Sequence, residues 1–80
     1  MKPLNELENQ VRKFRRSADI TQEELAEKVG VTRQTILAIE KGNYTPSVAL
    51  ALQIAAVLGL RVEELFVLKK GDVDAQSNGD

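Results

Sequence analysis

With no Cys and no His in its 80 residues, the chain has no thiol nucleophile, imidazole base, disulfide or ordinary zinc-ligand set. The side chains left to do chemistry are carboxylates, guanidinium groups, amides and hydroxyls. The acidic cluster Glu23, Glu24 and Glu27 reads as solvated helix surface, because no further ligand pattern accompanies it. No nucleophile–base pair, phosphate-cradling loop or cleft with paired carboxylates can be read, so an enzyme is not expected. The consecutive pair Arg33-Gln34 is more specific. An Arg fork matches the O6 and N7 acceptors of guanine, and a Gln amide matches adenine N6 and N7. Such side chains read bases only when a rigid element carries them into a groove. The sequence around the pair is therefore what gives it meaning.

That context is helical and sharply punctuated. Thr21 reads as an N-cap, with Glu24 three residues on completing a capping box. The short helix it opens reaches about Val29, with Leu25, Ala26 and Val29 inward, and Gly30 stops it. Thr32 caps a third helix from Arg33 to about Lys41, anchored by Ile36 and Ile39. Small Ala26 lets the two helices cross, Gly30 supplies the turn, and Val31 plugs the gap between them. Two short capped helices joined in this way are what a helix-turn-helix requires. Its second helix presents N-terminal side chains, here beginning at Arg33, to a major groove.

The flanking segments complete an expected all-α arrangement of five helices. Leu7, Val11 and Phe14 at i, i+4 and i+7 predict a first helix from about Asn5 to Ala18. A loop over Gly42–Pro46 precedes a fourth helix, capped by Ser47 and reaching about Leu58 before Gly59. A last short helix is expected over about Val62 to Leu68, where Glu63 and Glu64 suit the positive end of the helix dipole. Leu60, Val62, Leu65, Phe66 and Leu68 are more apolar than a small core needs, and they are the candidate dimer seam. The folded domain is expected over residues 1–68, and the polar stretch 69–80 is read as a disordered tail.

The run from Ile20 to Phe66 resembles the XRE family of Cro- and repressor-like helix-turn-helix regulators. The parts that carry the resemblance occur in order: TQEELA, then GVTRQTI, then IEKG, then a Pro46-Ser47 loop, then a helix ending in LG before EELF. Members of that family fold as compact five-helix bundles of the lambda-repressor-like DNA-binding type and bind operator DNA, most often as two-fold dimers, so the resemblance implies that all-α fold here. The resemblance implies base-facing roles for Arg33, Gln34, Leu37 and Ala38. It implies phosphate contacts for Gln22, Thr32 and Thr35, and for Lys41, Asn43 and Tyr44 on the loop that follows the DNA backbone. It also implies a buried salt bridge between Arg15 and Glu40. Leu37 and Ala38 are apolar where other members often carry polar readers, which shifts sequence reading toward Arg33, Gln34, thymine methyl contacts and DNA shape.

Composition and charge set the frame. Hydrophobic residues make up 42% and charged residues 29% of the chain, which is ordinary globular usage and supports one folded domain. The formal net charge of −1 disfavours non-specific attraction to nucleic acid. It leaves room for a local basic face, because Arg12, Lys13, Arg15 and Arg16 are concentrated in one short segment. Neither a membrane span nor a signal-peptide core is read, no cofactor is implied, and the expected setting is the cytoplasm. The expected function is a sequence-specific regulator, a repressor, that binds double-stranded DNA as a homodimer. The alternative is an antitoxin-type module that uses the same fold to hold a protein partner.

Overall fold

A computed structural model describes residues 5–70. The order of elements is β1 (Asn5–Asn9), α1 (Val11–Ser17), α2 (Gln22–Val29), α3 (Arg33–Glu40), α4 (Val48–Leu58), α5 (Val62–Leu65) and β2 (Phe66–Lys70). Helices α1 to α5 form the bundle, and β1 and β2 pair as a two-stranded antiparallel sheet at its end. Its register places Asn5 opposite Lys70, Leu7 opposite Leu68 and Asn9 opposite Phe66.

The sheet corrects four expectations. The fold is a helical bundle with a small sheet, not all-α. The expected first helix from Asn5 splits, because the Asn9 Oδ1 accepts from Val11 N–H at 3.1 Å and starts the helix only there. The expected last helix stops at Leu65. Phe66 adopts φ −122° and ψ 123°, and the β-favouring residues Phe66 and Val67 continue as strand. The boundary at residue 69 also shifts, since Lys69 and Lys70 belong to β2. The rest of the expected tail lies outside the described residues.

Local signals build the helix-turn-helix as the sequence reading anticipates. The Thr21 hydroxyl accepts from Glu24 N–H at 3.0 Å, while the Glu24 carboxylate accepts from Thr21 N–H at 2.8 Å. Thr32 and Ser47 cap α3 and α4 through the amides of Thr35 and Leu50. Gly30 takes φ +77°, and Val31 N–H returns to Ala26 O at 3.0 Å, which turns the chain from α2 into α3.

The core is Val11, Leu25, Ala26, Val29, Ile36, Ile39, Leu50, Ile54, Ala55 and Leu65, with Phe14, Val31, Leu60, Val62 and Phe66 packed around it. Leu65 is 0% exposed, so it leaves the expected dimer seam: a side chain with no surface cannot touch a partner. Its place at the inner side of the one-turn α5 closes the base of the core.

A Cβ at Gly30 would meet no atom within 4 Å, so only backbone conformation penalises a side chain there. Gly30→Ala should therefore lower unfolding free energy by roughly 1–2 kcal/mol, with Gly30→Asn less affected. Urea unfolding with an unchanged m-value checks this; an Ala variant as stable as the parent would show that the turn does not depend on the left-handed geometry.

Candidate nucleic-acid interface

Helix α3 is held from behind and open in front. Ile36 and Ile39 are 0% and 1% exposed and fix its inner side. Arg33 and Gln34, in its first turn, are exposed, while Thr35, Leu37 and Ala38 are half-buried. The Thr32 and Thr35 hydroxyls lie 3.2 Å apart and stay at the exposed N-terminus of the helix. After α3, Asn43 N–H donates to Ala38 O and Gly42 N–H to Ile39 O, each at 2.9 Å. These bonds fold the start of the loop carrying exposed Lys41, Asn43 and Tyr44 back against the helix end.

The C-terminal end of α3 is also bound by a charged network. Arg15 Nε donates to Glu40 Oε2 at 2.7 Å, and Arg15 Nη2 reaches Glu40 Oε1 at 3.4 Å. Arg15 Nη1 donates to Ile20 O at 2.7 Å, and Gln22 Nε2 donates to Glu40 Oε1 at 3.0 Å. The two ionic side chains are 11% and 4% exposed. The Arg15–Glu40 pair thus gathers α1, the turn before α2, the start of α2 and the end of α3. Gln22 gives one of its two amide N–H groups to this network, which braces its half-buried side chain.

The surroundings of α3 are electrostatically unequal. An open groove along the C-terminal half of α3 is lined by Arg12, Arg16, Gln22, Leu37 and Lys41, together with the Arg15–Glu40 pair. At the N-terminus of α3, Glu23, Glu24 and Glu27 line a depression with Thr21, Val31 and Arg33. With Glu40 paired to Arg15, the groove keeps the positive charge of Arg12, Arg16 and Lys41, which attracts a polyanion. Among the described residues no group of three or more Cys, His, Asp or Glu could hold a metal ion.

Sequence reasoning passed over Asn9, whose Nδ2 donates to Ile39 O at 2.8 Å. The signal was present as an Asn two residues before apolar Val11, a pattern that caps helices. It was hidden because the helix was expected to start earlier.

Residues 11–65 match the family described as helix-turn-helix. The chain belongs to the XRE-type helix-turn-helix family of transcriptional regulators. A regulator of this type from Methanothermobacter thermautotrophicus is 56% identical, covering 72% of this chain and 86% of its own. One from Methanocaldococcus jannaschii is 48% identical, covering 76% and 92%. The transcriptional repressor of a cryptic phage in Vibrio cholerae is 32% identical, covering 82% and 60%. Among solved structures, the restriction-modification controller protein from Aeromonas hydrophila superposes with a TM-score of 0.65 at 27% identity, covering 69% of this chain and 83% of that one. The biofilm regulator SinR, solved in complex with DNA, superposes with a TM-score of 0.63 at 29% identity, covering 68% and 87%. This regulator is thus a DNA-binding protein and not an enzyme.

Breaking the ion pair from one side strands a buried charge. Arg15→Met or Glu40→Leu alone should cost about 3–5 kcal/mol, whereas the joint Arg15→Met and Glu40→Leu replacement should recover most of that loss. Chemical denaturation of the four proteins in the cycle tests this. Single and double variants equally destabilised would show that the pair is not the coupled unit.

Proposed function

We propose that this regulator binds a near-palindromic operator as a homodimer, with α3 lying in the major groove and acting as a repressor's recognition helix. The observation that carries the reading is the pairing of an exposed Arg33-Gln34 edge with a helix locked from behind by Ile36, Ile39 and the Arg15–Glu40 pair. Arg33 and Gln34 take the base edges, and Leu37 and Ala38 approach thymine methyl groups. Gln22, Thr32, Thr35, Lys41, Asn43 and Tyr44 hold the backbone phosphates and set the register. The basic groove containing Lys41 supplies local attraction for phosphates, and it lets a chain of net charge −1 bind a polyanion.

The two-fold partner is placed on Leu60, Val62, Phe66 and Leu68, of which Leu68 is 56% exposed and the other three half-buried. Two recognition helices then read half-sites about 34 Å apart. Its setting is that of the chromosome, in the cytoplasm. The antitoxin-type reading gains nothing from the relatives, whose names are those of regulators.

Fluorescence anisotropy on a selected site tests this reading. Arg33→Ala should weaken binding by about 1–3 kcal/mol and relax preference at one base position, while Lys41→Gln should weaken all sequences alike and lower the salt slope by about 1. A joint Arg33→Ala and Gln34→Ala protein that keeps the parent's affinity and preference would overturn it.

A further inference from the structure

Asn9 is the point at which three segments of the chain meet. It ends β1 opposite Phe66 of β2. The two ends of its carboxamide are used separately. Oδ1 accepts from Val11 N–H at 3.1 Å, an Asx turn that starts α1. Nδ2 donates at 2.8 Å to Ile39 O, thirty residues away at the end of α3. The next backbone amide is also fixed, since Gln10 N–H donates to Leu65 O at 2.8 Å.

The receiving carbonyl is one of the last four of α3, which a helix leaves without partners of its own. Ile39 O accepts from Asn9 Nδ2 and from Gly42 N–H, and the neighbouring Ala38 O accepts from Asn43 N–H. The carbonyls that end α3 therefore also set the path of the loop from Lys41 to Tyr44. Gly42 follows at φ +82°, a conformation that lets the loop leave the helix sharply.

We infer that Asn9 is a positioning residue for DNA binding: its amide holds the Ile39 carbonyl and so couples the terminal sheet to the loop that meets the phosphate backbone. The inference rests on the phosphate role proposed above for that loop. An Asn is needed because one planar group must supply an acceptor to α1 and a donor to α3. Asp has no donor, and Ser lacks the reach. Without the donor the loop samples more conformers. Apparent affinity falls by the fraction that remains competent, although Asn9 itself touches no DNA.

Asn9→Ser is the informative variant. It is neutral, and its hydroxyl can still form the turn that starts α1. In the free protein, amide exchange should rise at least severalfold at Gly42 and Asn43, beyond any change at Leu25 and Ile54 in the core. Operator affinity should fall about fivefold or more, at a temperature where circular dichroism shows the variant folded. Base preference should stay as in the parent, and the slope of log K against log salt should fall by about 0.9 for each phosphate that the loop no longer neutralises. Asn9→Asp keeps the acceptor and sets a carboxylate against Ile39 O, so it should move exchange at Gly42 and Asn43 in the same direction. Parent-like exchange at Gly42 and Asn43, or an affinity loss explained wholly by a smaller folded fraction, would overturn the inference. A parent protein that binds no DNA would defeat the proposed function instead, and the exchange measurement would still decide the coupling.

Discussion

Most of the arrangement depends on an ion pair that an 80-residue domain can hardly surround. Removing a guanidinium and a carboxylate from water is costly, and mutual attraction alone does not reliably offset it. Here the remaining valences are filled: Arg15 also reaches Ile20 O, and Glu40 also accepts from Gln22. Among the described residues no buried side-chain polar atom lacks a partner. The return on that arrangement is orientation more than stability. Ridges of Ile and Leu tolerate small slides and rotations, whereas a carboxylate held by Arg15 at 2.7 Å and by Gln22 at 3.0 Å does not. The pair sets the angle at which α3 leaves the bundle, and hence what Arg33 and Gln34 can reach.

The capped helices were legible because their signals are local. Thr21 with Glu24, Gly30, Thr32 and Ser47 act within four residues, and each forms the contact its residue type predicts. The sheet was not legible because its partners are some sixty positions apart, as with Leu7 and Leu68. Leu7 fell by coincidence at helical spacing from Val11 and Phe14, and nothing within that window could contradict a helix. The same blindness put Leu65 in a seam. Its full burial among residues distant in sequence reveals that it faces the core. At the interface, residue types and the α3 boundaries could be read from the sequence. The bracing of Gln22 and the tie from Asn9 to Ile39 could not, since both join segments distant in sequence.

The charge distribution explains how a slightly acidic chain suits a DNA-binding role. Bulk attraction is weak at net charge −1, so encounter and register must rest on a few positions. The groove lined by Arg12, Arg16 and Lys41 lies along the C-terminal half of α3, and the carboxylates of Glu23, Glu24 and Glu27 lie near Arg33 at its N-terminus. This distribution concentrates attraction for phosphates toward one end of α3. It also makes discrimination depend more on the correct bases than on indiscriminate charge.

The most direct measurement is selection from random double-stranded DNA followed by sequencing, carried out on the parent and on the joint Arg33→Ala and Gln34→Ala variant. The parent should enrich a two-fold symmetric site with half-sites one helical turn apart, and the variant should lose the preference at defined positions in both halves. Enrichment of the same site by both proteins, or of none by the parent, would contradict the claim that the first turn of α3 reads DNA.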